Sequence, residues 1–453
     1  MKTTFLLPIF ASVIFFSCKK DNLTLTSNDT KLDTLQGSIS TNTTLSANQN
    51  YFLKGKVFVK NNATLSIPAG VTVFAQVNDL ADNKSALIIT KGAKINIAGT
   101  ANNPVVFTSA ATNKKQGDWG AIIILGNAPT NIGTGHVEGL PASDDTQYGG
   151  TVPTDNSGSI NYLRIEYSGG INPPAEDEWI VDKASGLCLA GVGSETQINN
   201  VMVAHSNDDG FQFVGGTVNA THLIAFNNGD DDFDFDLGYE GNLQFLIAYR
   251  THASSQALRA NGVESYNDEV PTTNTPLTRP VISNMTIIGP QGIESVKTNI
   301  NQGVYMRKGT RLAFRNSVVA EYSQGAFMVC PRTRPVILNN DWAEFRHNLV
   351  QSDSTNRTFS YDTGTLIIPD PELAAFETNS VNKNVLLISS ADFKLTDIYN
   401  SVPNLTPAGG SPALTGADFT GVDFSTAFFE KTAYRGAIGS TNWAASSKWA
   451  AWN

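Results

Sequence analysis

Residues 208–216 read DDGFQFVGG and residues 230–238 read DDDFDFDLG, one pattern repeated at a shift of 22. Phe211 and Phe233, Phe213 and Phe235, Asp208 and Asp230, Asp209 and Asp231, and Gly216 and Gly238 are all separated by that number. The segments just before, VMVAH at 201–205 and LIAFN at 223–227, align in the same way. A further copy, LIAYRTHASSQALRANG at 246–262, follows at a shift of 23. More distant copies place an Asn between apolar residues: INNVMV at 198–203, ISNMTI at 282–287 and FRNSVV at 314–319, with FRHNLV at 345–350 carrying His347 at that position. A unit this short cannot enclose a core by itself, so successive units must stack on one another.

The units are made of strands. No sustained apolar spacing of three and four argues for helices; short β-branched runs such as KVFVK, NPVVFTS and AIIILG recur between Gly, Asn and Asp. Sandwiches, barrels and propellers use similar strands, but a repeat near 22 residues matches one coil of a parallel β-helix. The expected fold is an all-β, single-stranded parallel β-helix solenoid, with neighbouring strands about 4.8 Å apart. Inward side chains should form ladders along the axis. Asn at the repeated bend tolerates left-handed φ and can stack its amide. Residues 49–453 are assigned to this domain, with 49–60 at its first end and Trp443, Trp449 and Trp452 covering its last coil.

The first twenty residues, MKTTFLLPIFASVIFFSCKK, carry one early lysine, an apolar run over 5–16 and a small residue before Cys18. The run is too short to span a bilayer and has the form of a secretory signal core. FFSC resembles the lipobox of bacterial lipoproteins, which implies cleavage after residue 17 and acylation of Cys18. Several acyl chains on one cysteine anchor a protein stably. Residues 18–48, polar and poor in large apolar residues, read as a hydrated tether. The expected location is the outer membrane, on its cell-surface face.

Three longer stretches carry a resemblance: YFLKGKVFVKNNATLSIPAGVTVFA near the start, SNDDGFQFVGGTVNATHLIAFNNGDDDFDFDLGYEGNLQFLIAYR at the centre and YRGAIGSTNW at the end. Together they are similar to a Bacteroidota-type family of outer-membrane lipoproteins with pectate-lyase-like β-helices. The resemblance implies a right-handed coil and carries over no catalytic residue.

The formal net charge is −10, which argues against nucleic acid as a partner. Most of it is local: residues 201–250 hold seven aspartates and Glu240 against Arg250 alone. In DDDFDFD, alternation turns Phe233 and Phe235 inward and Asp232, Asp234 and Asp236 outward. Stacking brings Asp208 and Asp209 next to Asp230 and Asp231. Carboxylates 5–7 Å apart repel by roughly 2–4 kcal/mol per pair at an effective dielectric near 20. A cation removes that cost. Many carboxylates without histidine or thiolate suit Ca²⁺, so Asp208, Asp209, Asp230, Asp231, Asp232, Asp234 and Asp236 are the candidate metal ligands. The plainer alternative is a solvated acidic ridge whose aspartates bond the turns.

Function is less constrained. Loops at 138–150 and 169–179 are candidate binding surfaces, with Tyr148 and Trp179 able to stack on sugar rings. The leading expectation is a binding or structural role toward a glycan, matrix or partner protein, stabilised by calcium. One alternative is a polysaccharide lyase or glycoside hydrolase using the aspartates, with Arg250 or Arg259 as the proton acceptor of a lyase. Another is an accessory subunit of an outer-membrane transport complex. Cys188 and Cys330, flanked by apolar residues, read as buried thiols. Arg307, Lys308, Arg311 and Arg315 form a modest basic patch.

Overall fold

Alternating burial explains how the strands assemble. In Thr64–Pro68 and Lys94–Ala98 every second side chain is buried, and the two strands run parallel with Leu65 over Ile95 and Ile67 over Ile97. Among the described residues, repeating this pairing yields one sheet of 27 strands, with Ile367–Pro369 added antiparallel, that winds around a continuous apolar core. The computed structural model describes residues 32–452 apart from 78–83, 171–183, 252–259, 269, 271–272, 291–300, 354 and 446.

Each central coil has three sides. The strand Leu187–Ala190 stacks on Phe211–Val214, which stacks on Phe233–Asp236 and then on Val263–Ser265. The longer strands Gln197–Ala204, Asn219–Phe226, Asn242–Tyr249 and Val281–Ile288 stack beside them and bend at mid-length. The bend is a left-handed residue in every coil: Asn200, His222, Phe245 and Asn284 have φ between 55° and 61°. Asn316 and His347 continue the series at 57°. The predicted left-handed Asn is therefore present. Its amide turns outward in the later coils, where Asn284 Nδ2 donates to Tyr434 O and Asn316 Nδ2 to Asp418 O.

Inside, equivalent residues lie over each other. Phe211 pairs in register with Phe233, their rings 4.9 Å apart and 3° from parallel, and Phe213 lies over Phe235 at 5.1 Å. These are offsets of one strand spacing. Leu163, Val201, Leu223, Leu246 and Met285 form a second ladder, all fully buried.

Two boundaries differ from the sequence reading. The helix begins before residue 49: Asp33–Ile39 pairs in parallel with Asn50–Val59, and Leu35 and Leu45 join the core. Thr and Ser dominate that segment, but widely spaced inward leucines suffice for a terminal coil. The tail tryptophans, expected over the last coil, lie on central strands instead. Trp449 donates to Leu163 O and meets Tyr162 edge-on, while Trp452 packs edge-on against Phe226 and Tyr249. The C-terminal segment thus covers the outer face of central strands. That is why VMVA, LIAF and LIAY are apolar at every position: both faces of these strands are buried.

Candidate functional site

The aspartates of the two central coils are held by strand register and by a ladder of turn bonds. Asp231 N–H donates to Asp209 Oδ1 at 3.0 Å, Asn261 N–H donates to Asp231 Oδ1 at 2.5 Å, and Gln302 N–H donates to Asn261 Oδ1 at 3.2 Å. Each side chain accepts from the backbone of the next coil. Turn aspartates thus tie successive coils together along the axis. On the adjoining strands, Asp234 lies in register between Gln212 and Glu264, on the opposite side of the strand from the phenylalanine ladders.

All seven aspartates are buried. Exposure runs from 0% at Asp232 to 8% at Asp230, so the acidic ridge is not a solvated one. Burial decides their electrostatics. It pushes the Asp231 and Asp234 carboxyls well above the ordinary carboxylate range, with Glu264 adding to the push on Asp231 and Asp209 to that on Asp234.

The seven do not form one site. Asp208, Asp209 and Asp230 bring one oxygen each to within 4.8 Å of one another, and Asp231, Asp234 and Glu264 do the same. Asp232 serves another purpose: its Oδ2 lies 2.9 Å from Nε of Arg250, and neither side chain is exposed. Burial raises Asp232 to about 6, with Arg250 opposing the rise. The remaining guanidinium nitrogens donate to Asn228 O at 2.6 Å, to Asp230 O and to Asn261 O at 3.3 Å. Arg250 is thus an internal cation that gathers one carboxylate and three carbonyls from two coils. Asp236 accepts from Tyr266 Oη at 3.0 Å.

Glu264 is the residue that sequence reasoning missed. Its register with Asp234 spans 30 residues, because the chain lengthens between the two strands, and a comb set at 22 or 23 passes over it. A search for strand patterns instead of a fixed period would have found VES beneath FDF.

Other expectations are corrected. Tyr148 does not face solvent for a sugar: it is 4% exposed and packs with Val137 in an apolar cluster formed with Ile88, Ile123, Leu125 and Cys188 of the coil strands. Arg250 cannot take a proton from a substrate, since it is enclosed: burial pulls its pKa down, but Asp232, Tyr322 and Asp231 together more than offset that and hold its charge. The basic patch is paired: Arg307 with Glu264, Arg311 with Asp341, and Arg315 with Glu344 and Asp418. Cys188 is buried and Cys330 partly so, and both are free thiols. Cys18, Trp179 and Arg259 lie outside the described residues. Two surface hollows, of about 240 and 420 Å³, are lined by Arg334, Tyr361 and Asp370 and by Asp397, Asn400 and Asn442, away from the acidic coils.

Comparison with protein-family models agrees with this architecture. The pectate-lyase like beta helix domain matches residues 37–382. The chain belongs to that family. No curated protein matches this pectate-lyase-like chain. Among solved structures it is similar to the crystal structure of the Dettilon tailspike protein, at 10% identity over 76% of this chain, with a TM-score of 0.26. It spans 62% of that protein's chain. Among the described residues no helix is long and apolar enough to cross a membrane.

Proposed function

We propose that this protein is a lipid-anchored module of the outer membrane, held by acyl chains on Cys18, with a binding or structural role toward a glycan, matrix or partner protein. The observation that carries the reading is the burial of the acidic coils: no aspartate among the seven is more than 8% exposed. A glycosidase or lyase must bring its carboxylates within hydrogen-bond reach of a sugar chain. Carboxylates enclosed to this degree serve the fold. Arg250, the only Lys or Arg in 201–250, is committed to Asp232 and backbone carbonyls.

The test is incubation of the purified protein with acidic and plant polysaccharides, alongside a glycan array. The expected result is no new reducing end and no unsaturated product. Turnover that disappears in a folded Asp234→Ala variant would overturn the reading in favour of an enzyme. Loss of metabolic lipid labelling in Cys18→Ala is expected, and labelling that persists would remove the anchor.

A further inference from the structure

We propose that Asp231, Asp234 and Glu264 hold one divalent, oxygen-preferring cation, Ca²⁺, between two consecutive coils. One oxygen from each of the three lies within 4.8 Å of the others. Oxygens that share one Ca²⁺ sit at about 2.3–2.6 Å from it, so they can be no more than about 5 Å apart. The spacing therefore fits one ion.

A second observation points to a ligand. Asp234 is 6% exposed, and its buried Oδ1 has no hydrogen-bond partner. A buried acceptor left in this way costs free energy, and native proteins satisfy such atoms with water or an ion. The neighbouring bonds leave capacity where an ion needs it. Asp231 uses Oδ1 for Asn261 N–H and Nδ2, and Glu264 uses Oε2 for Arg307 Nη1 at 2.7 Å. Neither bond engages Asp231 Oδ2 or Glu264 Oε1.

Charge sets the valence. Three carboxylates and the Arg307 guanidinium leave two negative charges among these groups. A divalent cation neutralises them. Ligand type sets the class: carboxylates alone, without histidine or thiolate, favour Ca²⁺ over Zn²⁺ or Cu²⁺. The ion would bridge the strands Phe233–Asp236 and Val263–Ser265, where the repeat lengthens and the turn ladder passes from Asp231 to Asn261.

This inference deepens the reading of the acidic coils as structural, and it fails separately from it, because product release from a polysaccharide is independent of metal titration. The purified full chain is stripped with chelator and titrated with CaCl₂, MgCl₂ and MnCl₂ by calorimetry, with thermal melting in parallel. Saturable Ca²⁺ binding and a rise in Tm are expected. Asp234→Asn and Glu264→Gln should each weaken binding at least about tenfold while keeping the wild-type circular dichroism. In chelator, Asp234→Asn should melt no lower than wild type, because it removes a repelling charge. Absence of saturable binding overturns the proposal, as does unchanged affinity in both variants. Affinity lost in Asp208→Asn and kept in Asp234→Asn places the ion at the other aspartates and also overturns it. Preference for Mg²⁺ or Mn²⁺ overturns the assignment of the ion as calcium.

Discussion

Arg250 Nε lies 2.9 Å from Asp232 Oδ2, and both side chains are fully enclosed. The pair closes the acidic turns from the inside: Asp232 belongs to one coil, and Arg250 reaches it from the end of the neighbouring strand Asn242–Tyr249. A guanidinium placed here supplies planar donors to Asn228 O, Asp230 O and Asn261 O as well as to the carboxylate.

Removing one partner should be far worse than removing both. Arg250→Met leaves Asp232 buried without its cation, and leaves three carbonyls without their donor, with a destabilisation of about 3–5 kcal/mol expected. Adding Asp232→Asn to Arg250→Met should recover part of the lost Tm. Melting curves of the single and double variants check this, and equal Tm values for Arg250→Met and wild type would contradict it.

The phenylalanine ladder is the main apolar support of the same coils. Phe233 is fully buried between Phe211 and Val263. Phe233→Ala should cost about 3–5 kcal/mol through lost burial and a cavity. A double-mutant cycle on Phe211 and Phe233 should show a coupling of about 0.5–1.5 kcal/mol, from the ring contact beyond area alone.

Without calcium, the acidic coils should prefer acid. Asp231 and Asp234 have folded pKa values raised above 3.8 by burial and by neighbouring carboxylates. Between that value and the raised ones the native state binds more protons than the unfolded chain, so stability falls as pH rises. In chelator, the gap in Tm between Asp234→Asn and wild type should therefore widen from about pH 4 upward in favour of the variant. Calcium should narrow it. Melting across pH, with and without the ion, is the measurement.

His222 should act with the opposite sign. Burial lowers it to about 4, and its ring packs against Phe245 and edge-on to Trp443 of the tail. The unfolded chain takes up the proton first, so this contribution is present above pH 6.5 and lost as pH falls toward 4. Tryptophan fluorescence should report loosening of the tail over that window. His222→Asn, which keeps a residue suited to the φ of 57°, should remove the pH dependence.

Several features were legible because they repeat. Phe211 over Phe233, and Asp209 next to Asp231, follow directly from a spacing of 22 between coils. The left-handed bends were legible as Asn200, Asn284 and Asn316, yet His222 and Phe245 occupy the same bend without the residue that marks it. Glu264 was hidden because insertion changes the spacing while leaving the register intact. Tyr148 looked like a loop aromatic, and only its neighbours reveal that it docks the loop on coil-strand residues such as Ile88, Ile123 and Cys188.

The chain's local pattern determined the stacked-coil fold, the inward phenylalanines and the concentration of acid on two coils, since strand alternation and repeat length are properties of neighbours in sequence. Tertiary structure alone decided which carboxylates meet, that Asp232 is given to Arg250, that Glu264 joins Asp231 and Asp234, and that the tryptophans lie over Leu163, Phe226 and Tyr249. Those contacts join residues separated by loops of unequal length or by nearly three hundred positions, for example Leu163 and Trp449. Their distances depend on how the coils pack and on where the tail lies, which no local spacing encodes.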